Sequence, residues 1–234
     1  MDPPAHRSQK AGISALHPME PIILTPDQRT VIELLSKHPE LAQQFYLSGG
    51  TALAGYFLRH RMSDDLDFFT DGEVPLALVT QFMKEAKTAV HATKLDYEHL
   101  YDRHIFTIRA TPALKVEFTK YAFPRLAPLQ KKDGIFIDSL LDIAVNKLFA
   151  LFDRNEPKDF VDLYFLLQTF TLDTLIKGVH KKFDFTISPL TLGAELLKVR
   201  HLTMMPRMTR PVTREELTAF FEREAKRLGK AILT

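Results

Sequence analysis

Two aspartates separated by one residue, Asp65 and Asp67 in 64-DDLDFF-69, are the first candidates for chemistry in this chain. Alternation along a strand sends Asp65, Asp67 and Phe69 to one face and Leu66 and Phe68 to the other. Carboxylates sharing a face repel unless a cation lies between them, and hard oxygen donors suit Mg²⁺ or Mn²⁺. A solvated polar turn would use the same residues, so the pair alone leaves both readings open. Upstream, a short strand at 45-FYL-47, the turn Ser48-Gly49-Gly50 and a helix starting near Thr51 form a layout that offers backbone N–H groups to a phosphate. Glycine permits close approach and the helix N-terminus adds a favourable dipole. The plainer alternative is a tight turn. No G-x-x-x-x-G-K sequence is present, which excludes a P-loop.

Two further segments supply charge. In 114-LKVEFTK-120 the apolar Leu114, Val116 and Phe118 alternate with Lys115, Glu117 and Thr119. Glu117 would either complete a three-carboxylate site or mark the exposed edge of an antiparallel sheet. Lys147 lies off the main apolar stripe of 138-DSLLDIAVNKLFALF-152, and 158-KDFVD-162 puts Asp159 and Asp162 on one face of the next helix. Lys147 would neutralise a nucleotide phosphate, with Asp162 orienting either the lysine or the nucleotide. A surface lysine and two first-turn carboxylates supporting a helix N-terminus are the alternative. His60 and Arg61 end a helix, where positive charge suits the dipole, and read equally as a C-cap.

Positioning these groups requires both strands and helices. Residues 1–23, with Pro3, Pro4 and Pro18 and no apolar period, are expected to form a loose tail. Val31, Leu34, Leu35 and Leu41 recur at helical spacing, with a break at Pro39. A helix from Thr51 to about Arg59, a strand from Asp65 to Phe69 and a helix from Pro75 to about Ala92 follow. Extended segments at about 94–100, 103–109 and 113–119 then suggest an antiparallel meander. Past Pro124 and Pro128 helical periodicity dominates, placing a boundary between an α/β unit, residues 24–130, and a helical unit, residues 131–234.

Composition bounds the rest. The 234 residues are 45% hydrophobic, enough to bury a core as one domain or two small ones. There are 31 Lys or Arg against 29 Asp or Glu, a net charge of +2, so no global attraction to nucleic acid or membrane follows. Residues 170–234 hold twelve basic and seven acidic residues, +5, leaving −3 for the first 169. The absence of cysteine excludes disulfides and thiolate chemistry and suits a reducing compartment. Runs such as 163-LYFLL-167 fall far short of a membrane span, and the first twenty residues lack a signal-peptide core. A cytoplasmic protein without membrane contact is expected.

The run 46-YLSGGTALAGYFLRHRMSDDLDFF-69 resembles the signature of the AbiEii/AbiGii nucleotidyltransferases, within the DNA polymerase β-like superfamily. The segment 146-NKLFALFDRNEPKDFVDLYFLL-167 is similar to that family's second block: a lysine-led helix, an arginine, then a Lys/Arg-Asp…Asp pair. The resemblance implies an α+β fold, with a small mixed sheet flanked by helices and followed by a helical C-terminal domain, the nucleotide lying between them. It implies that Ser48, Gly49, Gly50 and Thr51 hold phosphate and that Asp65 and Asp67 bind Mg²⁺ or Mn²⁺. It also implies that Lys147, Asp159 and Asp162 serve nucleotide binding and catalysis. Glu117 takes the third carboxylate position, where many members carry aspartate; the extra methylene demands a different rotamer. The expected reaction moves NMP from an NTP to an acceptor. Family members include toxins of toxin–antitoxin systems, some of which modify tRNA ends. An RNA acceptor reached through the basic C-terminal part, notably 223-REAKRLGK-230, and a cognate antitoxin are therefore expected; a solvated helix face is the alternative for that cluster. Two other readings remain at this point: a nucleotide-binding module that has lost transfer activity, and an Asp-x-Asp glycosyltransferase.

Overall fold

The computed structural model describes residues 23–154 and 156–232, so all but the last residue of the expected tail lies outside the described residues. The first helix, α1 (Pro26–Ser36), begins with a capping box in which the Thr25 hydroxyl accepts from the Gln28 N–H and the Gln28 side chain accepts from the Thr25 N–H. Both otherwise unpaired donors are thus satisfied. Pro39 restarts the chain as the short α2 (Pro39–Ala42). Then come β1 (Tyr46–Ser48), α3 (Gly49–Leu53), β2 (Leu66–Thr70) and α4 (Leu76–Ala89). The chain continues through β3 (Leu95–Leu100), β4 (Arg103–Ile108) and β5 (Leu114–Lys120).

The strands form one mixed seven-stranded sheet in the order β3-β4-β5-β2-β1-β7-β6. The meander β3–β4–β5 is antiparallel, as the alternation predicts, but β5 continues the sheet by pairing parallel to β2. On one face Leu66, Phe68, Phe106, Val116 and Phe118 are buried, with Phe82 of α4 and Phe45 edge-on to Phe118. Each such ring contributes about 1.5–3 kcal/mol on burial. The opposite face carries the charged residues.

Two expectations need correction. The helix after the glycines is not continuous: α3 passes at Ala54 into a π-helical turn, Ala54–Leu58, which ends at Arg59 in the left-handed region (φ 49°). Strands also continue past Pro128. The hairpin β6 (Gln130–Lys132) and β7 (Ile135–Ile137) turns at Asp133 and Gly134, both with positive φ, and β7 pairs parallel to β1. An Asp-Gly pair favours such a two-residue turn.

The helical part comprises α5 (Leu140–Ala150), α6 (Pro157–Leu166), α7 (Leu172–Phe183), α8 (Pro189–Leu197) and α9 (Arg214–Ile232). Residues 207–210, between α8 and α9, return to the sheet's loop. The Met62 N–H donates to the Arg207 carbonyl at 2.8 Å, and the Thr209 and Arg210 N–H groups both donate to the His60 carbonyl at 3.0 Å. Among the described residues no helix is long and apolar enough to cross a membrane.

Candidate active site

Sheet register builds the site. Ser48 of β1 stands opposite Asp67 of β2, Asp67 opposite Glu117 of β5, and Glu117 opposite Ile105 of β4. Ser48, Asp67 and Glu117 thus occupy one rung across three adjacent strands. Asp65, two residues before Asp67, lies just ahead of β2 and shares the cleft. The cleft measures about 500 Å³ and is closed on the helical side by Lys147 of α5. Arg61, Arg103, Lys115, Lys120, Arg154 and Lys158 also line it, giving seven cations with Lys147 against Asp65, Asp67, Asp102 and Glu117. Such an excess suits a polyanion. A larger cavity of about 920 Å³ lies by Arg29, Arg59 and Lys132 and contains none of the expected site residues.

The glycine turn is built for close approach. Gly49 has φ +69°, and a Cβ there would stand 2.4 Å from Asp67 Oδ2; a Cβ on Gly50 would stand 2.6 Å from Arg61 Nη2. Both hydroxyls of the turn are engaged within the protein. Ser48 Oγ donates to Asp138 at 2.7 Å, and Thr51 Oγ1 donates to the Asp65 carbonyl.

The three carboxylates differ electrically. Burial, reinforced by the charges of Glu117 and Asp65, pushes Asp67 up to about 6. Glu117 is held below its ordinary value: burial opposes this, but Arg103 grips both carboxylate oxygens at 2.6 and 2.7 Å and Thr119 adds a hydrogen bond. Lys115 Nζ lies 3.1 Å from Asp65 Oδ2 and 4.0 Å from Glu117 Oε2.

Those observations test the fit of a divalent cation. Asp67 is a half-buried carboxylate whose acidic neighbours outweigh the lysines acting on it, beside the half-exposed Asp65, and the pair offers hard oxygen donors. Glu117 is committed to Arg103, and among the described residues no three acidic, histidine or cysteine side chains converge as a ligand set. The Asp65–Asp67 pair fits Mg²⁺ or Mn²⁺; Glu117 fits only after exchanging Arg103.

Lys147 is buried, not a surface lysine. Its Nζ lies 2.8 Å from Asp159 Oδ1 and 2.7 Å from Asp162 Oδ2, and although burial works against its charge, those two carboxylates raise its pKa. Asp162, fully buried, also accepts from Arg61 Nε at 2.6 Å, Arg61 Nη2 at 2.8 Å and His60 Nε2 at 2.7 Å. Against the effect of burial, Lys147 and Arg61 hold its carboxyl far below the usual range. Asp159 is further gripped by Arg154. Asp159 and Asp162 sit behind Lys147 rather than on the cleft wall. Burial lowers the His60 pKa, so the neutral ring donates from Nε2 while its Nδ1 lacks a partner.

The C-cap reading of His60 and Arg61 is therefore wrong. Arg59 caps the helix, and both neighbours are buried in the ionic cluster on α6. Arg103 and Lys115 went unassigned in the sequence; their positions beside acidic residues on paired strands were the available signal.

A family model described as the nucleotidyl transferase AbiEii toxin of type IV toxin–antitoxin systems matches residues 33–230. The chain belongs to that family. It is a nucleotidyltransferase with the α+β fold expected of one. The uncharacterized protein aq_aa25 of Aquifex aeolicus (strain VF5) is 34% identical over 157 residues, 63% of this chain and 71% of that one. The crystal structure of JHP933 from Helicobacter pylori matches with a TM-score of 0.56 and 22% identity, covering 88% of this chain and 90% of the other, a likeness of fold.

Proposed function

We propose that this AbiEii-family chain transfers NMP from an NTP to an acceptor hydroxyl in a metal-dependent reaction, and acts as the toxin of a toxin–antitoxin pair. One observation carries the reading: the rung Ser48–Asp67–Glu117, with Asp65 beside it, faces Lys147 across a cleft rich in cations. The acceptor oxygen bonds to the α-phosphorus as the bond to the β-phosphate oxygen breaks, and pyrophosphate leaves with that electron pair. A divalent cation on Asp65 and Asp67 supplies charge neutralisation and lowers the pKa of the attacking hydroxyl.

The residues of the chain do the remainder. Gly49 and Gly50 let the backbone of the turn approach the triphosphate, with Ser48 and Thr51 fixing the turn's shape. Lys147, oriented by Asp159 and Asp162, places a fixed positive charge against the phosphates. Glu117, on leaving Arg103, serves as third ligand or as base near the acceptor. In this reading the nucleotide lies between residues 24–130 and the helices of 131–234. Arg223, Lys226 and Arg227 are exposed on α9 and favour an RNA acceptor, tRNA included. The family's type IV setting favours an antitoxin partner.

The test is incubation with each α-³²P-labelled NTP, Mg²⁺ and total bacterial RNA, beside the Asp65→Ala/Asp67→Ala variant. Label in RNA that vanishes in the variant is expected; NTP binding without label in RNA or protein would overturn transfer. The grip of Arg103 on Glu117 favours a second reading, a nucleotide-binding module without transfer, which that outcome would support.

A further inference from the structure

The hydroxyl of Ser48 has one proton, and it is already given away. Ser48 is buried at the start of the phosphate turn and donates to Asp138 Oδ2 at 2.7 Å. Asp138 is 2% exposed and firmly placed: its other oxygen accepts the Ser139 N–H at 2.9 Å, and its own N–H donates to the Leu47 carbonyl at 2.9 Å. It therefore bolts the end of β7, just ahead of α5, the helix that carries Lys147, to the end of β1. While Asp138 is ionised it can only accept, so Ser48 turns lone pairs, not a proton, toward the cleft.

Resting on the phosphate-turn reading above, we propose that Asp138 is a positioning residue that sets whether Ser48 can donate a hydrogen bond to the NTP phosphates. Protonated Asp138 would donate from Oδ2 to Ser48 Oγ, and the Ser48 O–H would then be free to turn to a phosphate oxygen. Burial pushes the Asp138 carboxyl up to about 6, within reach of mild acid. The titratable groups around it are Tyr46 of β1, Tyr121 after β5, Asp142 of α5 and Lys182 of α7. Asp142 and Lys182 pair with each other at 2.7 Å, and burial raises both tyrosines well above their ordinary range. Asp138 is the member of this group that changes charge near pH 6.

Asp138→Asn imitates the protonated state: the amide oxygen keeps the Ser139 N–H and the amide nitrogen donates to Ser48 Oγ. The experiment measures Kd for ATP, GTP, CTP and UTP, each with Mg²⁺, by calorimetry from pH 5 to 8. The proteins are the wild type, Asp138→Asn, Ser48→Ala and the double variant. Referring each Kd to that of Ser48→Ala at the same pH cancels titration of the nucleotide. At pH 8 Asp138→Asn should bind about tenfold more tightly than wild type, the worth of one hydrogen bond to a charged group. Wild type should approach it only below about pH 6, and the double variant should lose the gain. Unchanged or weaker binding by Asp138→Asn, with wild type still binding, would overturn the role of Asp138 alone. Absence of NTP binding in every protein would overturn the phosphate-turn reading and this inference with it.

Discussion

Asp67 and Glu117 are direct register partners on parallel strands, yet one is pushed toward its neutral form and the other is held ionised. The difference lies in their partners. Arg103 takes both oxygens of Glu117, while half-buried Asp67 is partly desolvated with two acidic neighbours in its field.

Asp67 should therefore cost the fold stability at neutral pH. Its folded pKa of about 6 stands above the ordinary 3.8, so the folded state holds the proton more strongly. That stabilisation is complete below about pH 4 and is lost as pH rises through about 6. Above pH 6 the cost is on the order of 2–3 kcal/mol. Asp67→Asn should raise Tm by about 4–10 °C at pH 7.5 while cutting transfer at least about 100-fold. Its melting curve should converge on that of wild type near pH 4. A Tm at pH 7.5 equal to or below that of wild type would refute the electrostatic account.

Arg103 guards Glu117. Removing it by Arg103→Ala should free the carboxylate and lower the Mg²⁺ concentration for half-maximal activity several-fold, whether or not kcat changes. An unaltered Mg²⁺ dependence would mean that Glu117 is no metal ligand.

Asp162 gathers His60, Arg61 and Lys147 without reaching the cleft wall. Asp162→Ala should thus destabilise the chain by about 3–5 kcal/mol, since His60 and Arg61 lose their buried carboxylate partner and Lys147 loses one of its two. Urea unfolding measures this directly. Normal stability with lost activity would instead assign Asp162 to the chemistry.

Gly49→Ala should fail for two reasons at once. The residue sits at φ +69°, and its new Cβ would meet Asp67 Oδ2 at 2.4 Å. We expect a loss of about 1–3 kcal/mol together with near-complete loss of transfer. Retained activity would show that the Asp67 carboxylate moves without consequence.

Much of this was readable along the chain because strands and helices leave different periods. Alternation in 114-LKVEFTK-120 places Glu117 opposite the apolar side, and 64-DDLDFF-69 does the same for Asp65 and Asp67. Their register with each other was not readable, because it depends on the parallel pairing of strands with α4 and the whole meander between them. The β6–β7 hairpin escaped because its strands are three residues long and Gln130, Lys131 and Lys132 show no apolar alternation; Asp133-Gly134 was the signal passed over. His60 and Arg61 misled because charge at a helix end normally meets solvent, whereas their partner Asp162 is about a hundred residues away.

The return of residues 207–210 to the loop between α3 and β2 also fixes an order of events during synthesis. Thr209 Oγ1 donates to the Arg59 carbonyl across 150 residues of chain, at 2.7 Å. At about 5–20 residues per second the ribosome needs roughly 8–30 s to make the second half of that contact after the first. Until then the His60 carbonyl lacks the donors that fasten it, and Arg61, though gripped by Asp162, lacks its backbone bridge to Met208. The nascent chain thus passes through a stage in which every residue lining the cleft, from Ser48 to Lys158, has been made while the loop carrying His60 and Arg61 is not yet fastened from outside.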